Sequence, residues 1–210
     1  SPLVAGVNMM FLPSTLENYA AAGLTSPSGK PYVFDRRADG FMRGEGIAAM
    51  VLYAPKGIRT AVGDSGLLMP RVSGSAVRQD GRSASLTAPS GKAQQRLLAA
   101  LLADAGITAA VPNVIETAAN GSPLGDGIEV GAVSAELLTE RAVAPSLPLV
   151  MGSLTANIGH TESASGILGT LKLLCMLQHG RAAPNARLAA LAPHVAAALQ
   201  PKQMVSAAFV

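Results

Sequence analysis

Gly152-Ser153-Leu154-Thr155-Ala156-Asn157-Ile158-Gly159-His160-Thr161-Glu162-Ser163-Ala164-Ser165-Gly166 joins an apolar run to a helix. Upstream, Leu147 to Leu154 has the short, continuous apolar character of a buried strand. Downstream, Ile167, Leu168, Leu171, Leu174, Cys175 and Gln178 repeat at helical spacing, and Gly180 stands where such a helix stops. Ser163, Ala164, Ser165, Gly166 and Gly169 are small enough to let another backbone approach, which suits a helix buried between layers. The junction therefore predicts an α/β unit with a histidine in its turn.

The same alternation extends outward from this junction. Asp126 with Glu129 three residues on reads as a capping box opening a helix through about Arg141, and Val111 to Ile115 as the strand before it. Leu97, Leu98, Leu101, Leu102 and Ala105 mark a helix from Lys92, with Gly106 as its stop. Nearer the start, Arg71 to Val77 and Ile47 to Ala54 read as strands, the second of them buried, and Asp39-Gly40 and Asp80-Gly81 as turns. Pro13-Ser14 with Glu17 suggests a capped helix ending near Gly23, preceded by a strand from Leu3 to Val7. Strands alternating with helices of this length predict a sheet covered on both faces. From Ala182 the chain is Ala-rich and Pro-punctuated, with no clear period.

Composition narrows the function class. Half of the 210 residues are apolar, enough for a substantial core. Sixteen basic and thirteen acidic residues leave a net charge of +3 with no basic cluster beyond Arg36-Arg37, which argues against a nucleic-acid or membrane-surface footprint. No apolar run reaches the roughly 20 residues that a membrane span needs. One cysteine excludes an internal disulfide and fits a reducing compartment, so a cytoplasmic location is expected, with a plastid as the alternative. Three scattered histidines and one cysteine offer no metal-ligand spacing. The start lacks an initiator Met and a basic n-region and already reads as strand, so the chain is expected to be part of a longer one.

Four strings carry a resemblance. Phe34-Asp35-Arg36-Arg37-Ala38-Asp39-Gly40-Phe41-Met42-Arg43-Gly44-Glu45-Gly46 resembles the FDxxADGYVRGEG segment of ketosynthases. Gly74 to Ser83, continuing to Leu86-Thr87-Ala88-Pro89, is similar to GSAVNQDGRSxGLTAP, and Ser122-Pro123-Leu124-Gly125-Asp126-Gly127-Ile128-Glu129 to TPLGDPIE. The opening stretch, Gly152 to Gly166, resembles GSVKTNIGHLEAAAG. All four stand in the family's order and spacing between Leu3 and Gly180. The resemblance implies an α/β thiolase-like layered fold (αβαβα), incomplete here, with 1–56 ending the first half and 57–210 forming most of the second. It implies an acyltransferase of polyketide or fatty-acid synthesis. In that reaction an acyl group held on a cysteine is attacked by a malonyl-type extender that loses carbon dioxide. No cofactor is bound by the chain itself; the substrates ride on the phosphopantetheine of an acyl carrier protein, and the full-length domain is expected to be a homodimer.

The same resemblance identifies what the chemistry would use. The nucleophilic cysteine belongs to a segment before Ser1, and Cys175, on the apolar stripe of the last helix, is expected to be a buried core thiol. His160 matches the family's histidine in NIGH and is expected to be a neutral imidazole donating a hydrogen bond to an enolate oxygen. The second histidine belongs in EAHGTGTPLGD, where this chain has Glu116-Thr117-Ala118-Ala119-Asn120-Gly121, so Ala118 stands at a degenerate catalytic position. Asn120 is offset by two residues. Thr155 and Ala156 replace the lysine and threonine before Asn157. Glu162, in the family's glutamate slot, either orients the site or serves as a first-turn acid on a helix dipole. Two functions stay open, a condensing enzyme and a degenerate, non-elongating module that binds carrier protein or a dimer partner.

Other signals carry less. Gly63-Asp64-Ser65-Gly66 matches a serine-protease string but has no histidine before it. Gly44-Glu45-Gly46 precedes a strand, the wrong context for a dinucleotide loop. Arg43, Arg78 and Arg82 could steer an acidic carrier surface; His179 and His194 are expected to be surface or structural.

Overall fold

The computed structural model describes residues 1–53, 70–85, 87–141 and 148–199, together with the backbone of 207–209. Strand β1 (Leu3–Asn8) pairs antiparallel with β2 (Gly46–Val51), in register from Leu3 opposite Val51 to Asn8 opposite Gly46. Between them lies helix α1 (Pro13–Ala21). A Cβ on Gly6 would lie 2.8 Å from the Ser163 carbonyl oxygen, so this glycine lets β1 rest directly on the small-residue turn after His160. The close approach expected from Ser163 and Ala164 is therefore made to β1.

The second sheet is parallel, with β4 (Leu149–Gly152) central between β3 (Val114–Glu116) and β5 (Ala207–Phe209). Helix α2 (Gly91–Ala105) packs on α3 (Gly125–Val133), which continues as a wider turn over Ser134–Leu138. Helix α4 (Thr155–Ile158) is a single turn, α5 (Ser165–His179) follows it, and α6 (Pro193–Ala197) packs on α3. The core gathers Phe34, Val130, Val133, Leu137, Leu138, Leu149, Met151 and Val195. Each such side chain contributes roughly 1.5–3 kcal/mol by leaving water.

Helix α2 matches its expected stripe. Ser90 caps it by accepting from the Ala93 N–H at 3.3 Å, and Gly106 closes it in the left-handed region at φ 65°. Other expectations are corrected. Helix α1 starts with Pro13 at its first position and Leu12 as cap, with no capping side chain. Asp126 and Glu129 form no capping box: Leu124 is the cap residue, and both carboxylates turn toward the loop 117–121. Residues 71–77 make no strand; Gly74 lies against Ala105 at the end of α2, where a Cβ would come 2.8 Å from the Ala105 nitrogen. Strand β2 is not buried, since Ile47 is 72% and Val51 65% exposed, and β3 begins at Val114, three residues later than expected. Cys175 is exposed because α5 turns Gly169 and Met176 inward and places the thiol off that line. The ends of two expected strands, at Ala54 and Leu147, and the Gly63–Gly66 string lie outside the described residues. Among the described residues no helix is long and apolar enough to cross a membrane.

Candidate active site

Backbone pairing builds the site before any side chain does. The His160 N–H donates to the Met42 carbonyl at 2.7 Å, and the Gly44 N–H donates to the His160 carbonyl at 2.9 Å. This short parallel bridge fastens the His160 turn to the Arg43 segment, the first of the four strings. Gly159 allows it at φ 80°, with the Arg43 carbonyl oxygen only 3.0 Å from where its Cβ would stand. Gly44 is tighter still, since a Cβ there would come 2.3 Å from the Ile158 carbonyl oxygen.

The first and third strings lock onto one another through a carboxylate. Asp126 accepts from the backbone N–H groups of Phe34 at 3.0 Å, Asn120 at 3.1 Å and Gly121 at 3.2 Å, so it joins the first and third strings across 92 residues. Burial holds its carboxyl above the usual range although these bonds pull the other way. Glu129 accepts from the Ala118 N–H at 2.8 Å. Burial raises its pKa to about 7, with the Asp126 and Glu116 charges adding to the shift.

His160 and Ala118 line the same cavity of about 280 Å³, with Glu116, Thr155, Thr161, Ser165, Gly169 and Leu173 among its walls. Positions 118 and 160 thus share one cavity, to which Ala118 offers no side-chain donor. Asn120 does not line this cavity; its Oδ1 accepts from the Ser122 N–H at 3.1 Å, and it faces a larger cavity of about 470 Å³ between α2, α3 and the loop. It supplies no substitute donor. Thr155 and Ala156 are buried, and Thr155 faces the His160 cavity. Asn157 is exposed and donates from Nδ2 to the Pro184 carbonyl at 3.0 Å, so it anchors the C-terminal segment instead of lining the site.

The His160 ring has a defined tautomer. Its Nδ1 lies 3.1 Å from the Glu162 backbone N–H, a group that can only donate, so Nδ1 accepts and the proton of the neutral ring is on Nε2. Burial lowers the His160 pKa, and the Glu162 charge pulls it back up. Burial, the larger of the two influences, favours the neutral ring. The ring also meets the edge of Phe41 at 5.8 Å between centroids. The strand-to-helix junction expected at this point contains an extra helical turn, α4, between β4 and His160.

Glu162 sits at φ 45°, unusual for a residue with a Cβ. Its Oε1 receives the Arg43 Nε–H at 2.6 Å, and the Arg43 guanidinium lies 5.5 Å from the Tyr19 ring centre. Arg43 is buried and engaged, so it is not a surface group that could steer a carrier protein. Sequence reasoning missed two parts of the site. One is the ion pair of Glu116 Oε2 with Lys172 Nζ at 2.8 Å, both side chains at most 10% exposed, whose other carboxylate oxygen holds the Leu154 N–H. The other is Ser165, 2.9 Å from His160 Nδ1. Lys172 was visible as the one charge inside an apolar helix; Ser165 gave only the signal of a small residue. Among the described residues no cluster suited to a metal ion is found.

Comparison with known proteins identifies the family. The family model for the beta-ketoacyl synthase N-terminal domain matches residues 2–55, and that for its C-terminal domain matches residues 69–189. A phenolphthiocerol/phthiocerol polyketide synthase protein of Mycobacterium tuberculosis is 38% identical over 193 residues, 92% of this chain and 10% of that protein. Polyketide synthase GfsA of Streptomyces halstedii is 40% identical over 183 residues, 87% of this chain and 2% of that protein. The ketosynthase from module 6 of the bacillaene synthase of Bacillus subtilis superposes with a TM-score of 0.82 at 32% identity, covering 91% of this chain and 33% of that one. The chain thus spans a tenth or less of these curated relatives and about a third of the solved domain. Its fold is the thiolase-like fold of those neighbours, and the C-terminal match alone covers more than half of the 210 residues: the chain belongs to the beta-ketoacyl synthase family.

Proposed function

We propose that this chain is part of a ketosynthase of a polyketide synthase, joining an acyl thioester to a malonyl-type extender with loss of carbon dioxide. The observation that carries this reading is the His160 ring, biased by burial toward the neutral form and accepting at Nδ1 from the Glu162 N–H, in a cavity walled by Ala118 and Thr155. Loss of carbon dioxide leaves an enolate whose oxygen needs a hydrogen-bond donor, and one such donor is worth about 3 kcal/mol. His160 supplies it. The reaction also needs a thiolate; Cys175 does not line the cavity, so this reading takes the nucleophile from outside these 210 residues. The substrates would arrive on the phosphopantetheine arm of an acyl carrier protein, and the full-length domain would act as a homodimer in the cytoplasm.

Ala118 favours a second reading. A methyl group donates no hydrogen bond, and Glu129, behind it, is engaged by the Ala118 N–H. A domain with one donor in place of two would hold carrier protein without condensing. The two separate in an elongation assay on the full-length protein with malonyl carrier protein as extender. Product formation, abolished or cut about 100-fold or more in His160→Ala, supports condensation. No product from the native protein, with turnover appearing in Ala118→His, supports the binding module. Product with no gain in Ala118→His ends the second reading.

A further inference from the structure

The contacts on the far side of the His160 ring form a directed chain. Three polar groups meet there: the Glu162 backbone N–H at 3.1 Å from Nδ1, the Ser165 hydroxyl at 2.9 Å from Nδ1, and the Thr161 hydroxyl at 3.1 Å from the Ser165 oxygen. Either hydroxyl could donate if taken alone. The backbone N–H cannot accept, so Nδ1 must be unprotonated and the Ser165 hydroxyl must donate to it. With that proton spent, the Thr161 hydroxyl must donate to Ser165 Oγ. Hydrogen bonds arranged head to tail in this way polarise one another, more so out of water, and Thr161 is buried at 2% exposure. In the string GHLEAAAG that residues 159–166 resemble, the positions of Thr161 and Ser165 hold leucine and alanine.

We propose that Ser165, backed by Thr161, is a positioning residue that holds the His160 ring with Nδ1 as acceptor and Nε2–H as the single donor offered to the cavity. The inference rests on the reading of His160 as an oxyanion donor and adds a device that aligns it. A ring held by one backbone N–H could still rock about its Cβ–Cγ bond; a second donor from the first residue of α5 fixes its plane. In a site with Ala118 opposite, all of the donor work falls on this one ring, and its alignment counts for more. The charges around it are balanced in pairs. Glu162 is bound by Arg43, and Glu116 on the cavity wall is bound by Lys172. The hydroxyl chain then acts on the ring's alignment, alongside the burial that favours its neutral form.

The test is the pH dependence of hydrogen–deuterium exchange at the His160 Cε1 position in the full-length protein, read by peptide mass spectrometry. Ser165→Ala, which places the family's own residue there, should fold. Losing a donor that stabilises the neutral ring should raise the His160 pKa by roughly half a unit to one unit. Ser165→Thr should restore the native value, and Thr161→Val should shift it in the same direction by less. If the native protein elongates, Ser165→Ala should lower kcat about threefold to tenfold with little change in KM. A His160 pKa that is unchanged or lower in Ser165→Ala overturns the proposal, even where elongation itself is intact. Absence of elongation in the native protein, with the pKa shift present, overturns the condensing reading and leaves the hydroxyl chain standing.

Discussion

The Nε–H of Arg43 meets Oε1 of Glu162 at 2.6 Å, a contact between residues 119 positions apart that ties the first of the four strings to the last. Both sit on backbone already bridged by the His160 and Gly44 hydrogen bonds, so the ion pair locks a turn that the main chain has closed. Arg43 is buried with its side chain only 7% exposed, and the pair cannot be lost without leaving a charge behind. Arg43→Met should leave the Glu162 carboxylate uncompensated next to His160 and raise the imidazole pKa, the direction in which Glu162 already pulls it. Stability should fall by about 1–3 kcal/mol. Denaturant unfolding and the pH dependence of His160 exchange measure the two effects separately.

Glu129 carries a pH-dependent cost. Its folded pKa of about 7 lies above the ordinary glutamate value, so the folded state favours the protonated acid. The sign follows from linkage: the native state binds the proton more tightly, so stability from this group is complete below the unfolded pKa and declines as pH rises toward 7. Glu129→Gln removes the titration while keeping an acceptor for the Ala118 N–H. The variant should gain on the native protein progressively between about pH 4.5 and 7, by up to about 3 kcal/mol. Urea unfolding at several pH values would show it, and a constant difference across that range would count against it.

Asp35 acts in the opposite direction. Fully buried, it accepts from Arg37 Nε at 2.7 Å and from the backbone N–H groups of Ala189 at 2.7 Å and Ala190 at 3.2 Å. The Arg37 guanidinium holds its carboxyl well below the usual carboxylate range. Its contribution is therefore present above the unfolded pKa near 4 and lost only as pH falls below it. Asp35→Asn should loosen the segment around residues 187–192 at a cost of about 2–4 kcal/mol, most visible at neutral pH. Faster amide exchange at Ala189 and Ala190 is the local readout.

Gly44→Ala should be among the most damaging single changes in the chain. A Cβ 2.3 Å from the Ile158 carbonyl oxygen cannot be accommodated without moving the bridge that seats His160. The expected result is a loss of about 3 kcal/mol or more, together with loss of the lowered His160 pKa. The same change at Gly166, which has open space around it, is the control and should be nearly neutral.

Much of this was legible in advance because it depends on local pattern. The leucines of α2 and its closing Gly106 announce a helix by spacing alone, and the α5 stripe does the same up to Gly180. What failed were readings that needed a partner. Residues 71–77 have strand-like composition, yet among the described residues no strand pairs with them, and Gly74 packs on the end of α2 instead. Asp126 and Glu129 have capping-box spacing, but their carboxylates accept from N–H groups of the loop 117–121 and of Phe34. Cys175 shares a helical stripe with Leu171 and Leu174, but α5 turns Gly169 and Met176 inward and leaves the thiol exposed.

The sequence by itself determined the family, the α/β class, and the placing of His160 and Ala118 within their strings, since these are matters of residue identity and order. Only the tertiary structure decided that those two residues face one cavity, that the proton of His160 is on Nε2, and that Ser165 and Thr161 stand behind the ring. The physical reason is that a tautomer is set by hydrogen-bond partners within about 3 Å. Partners at that range are brought together by the closing of the His160 turn against the Arg43 segment, which no local pattern in the chain records.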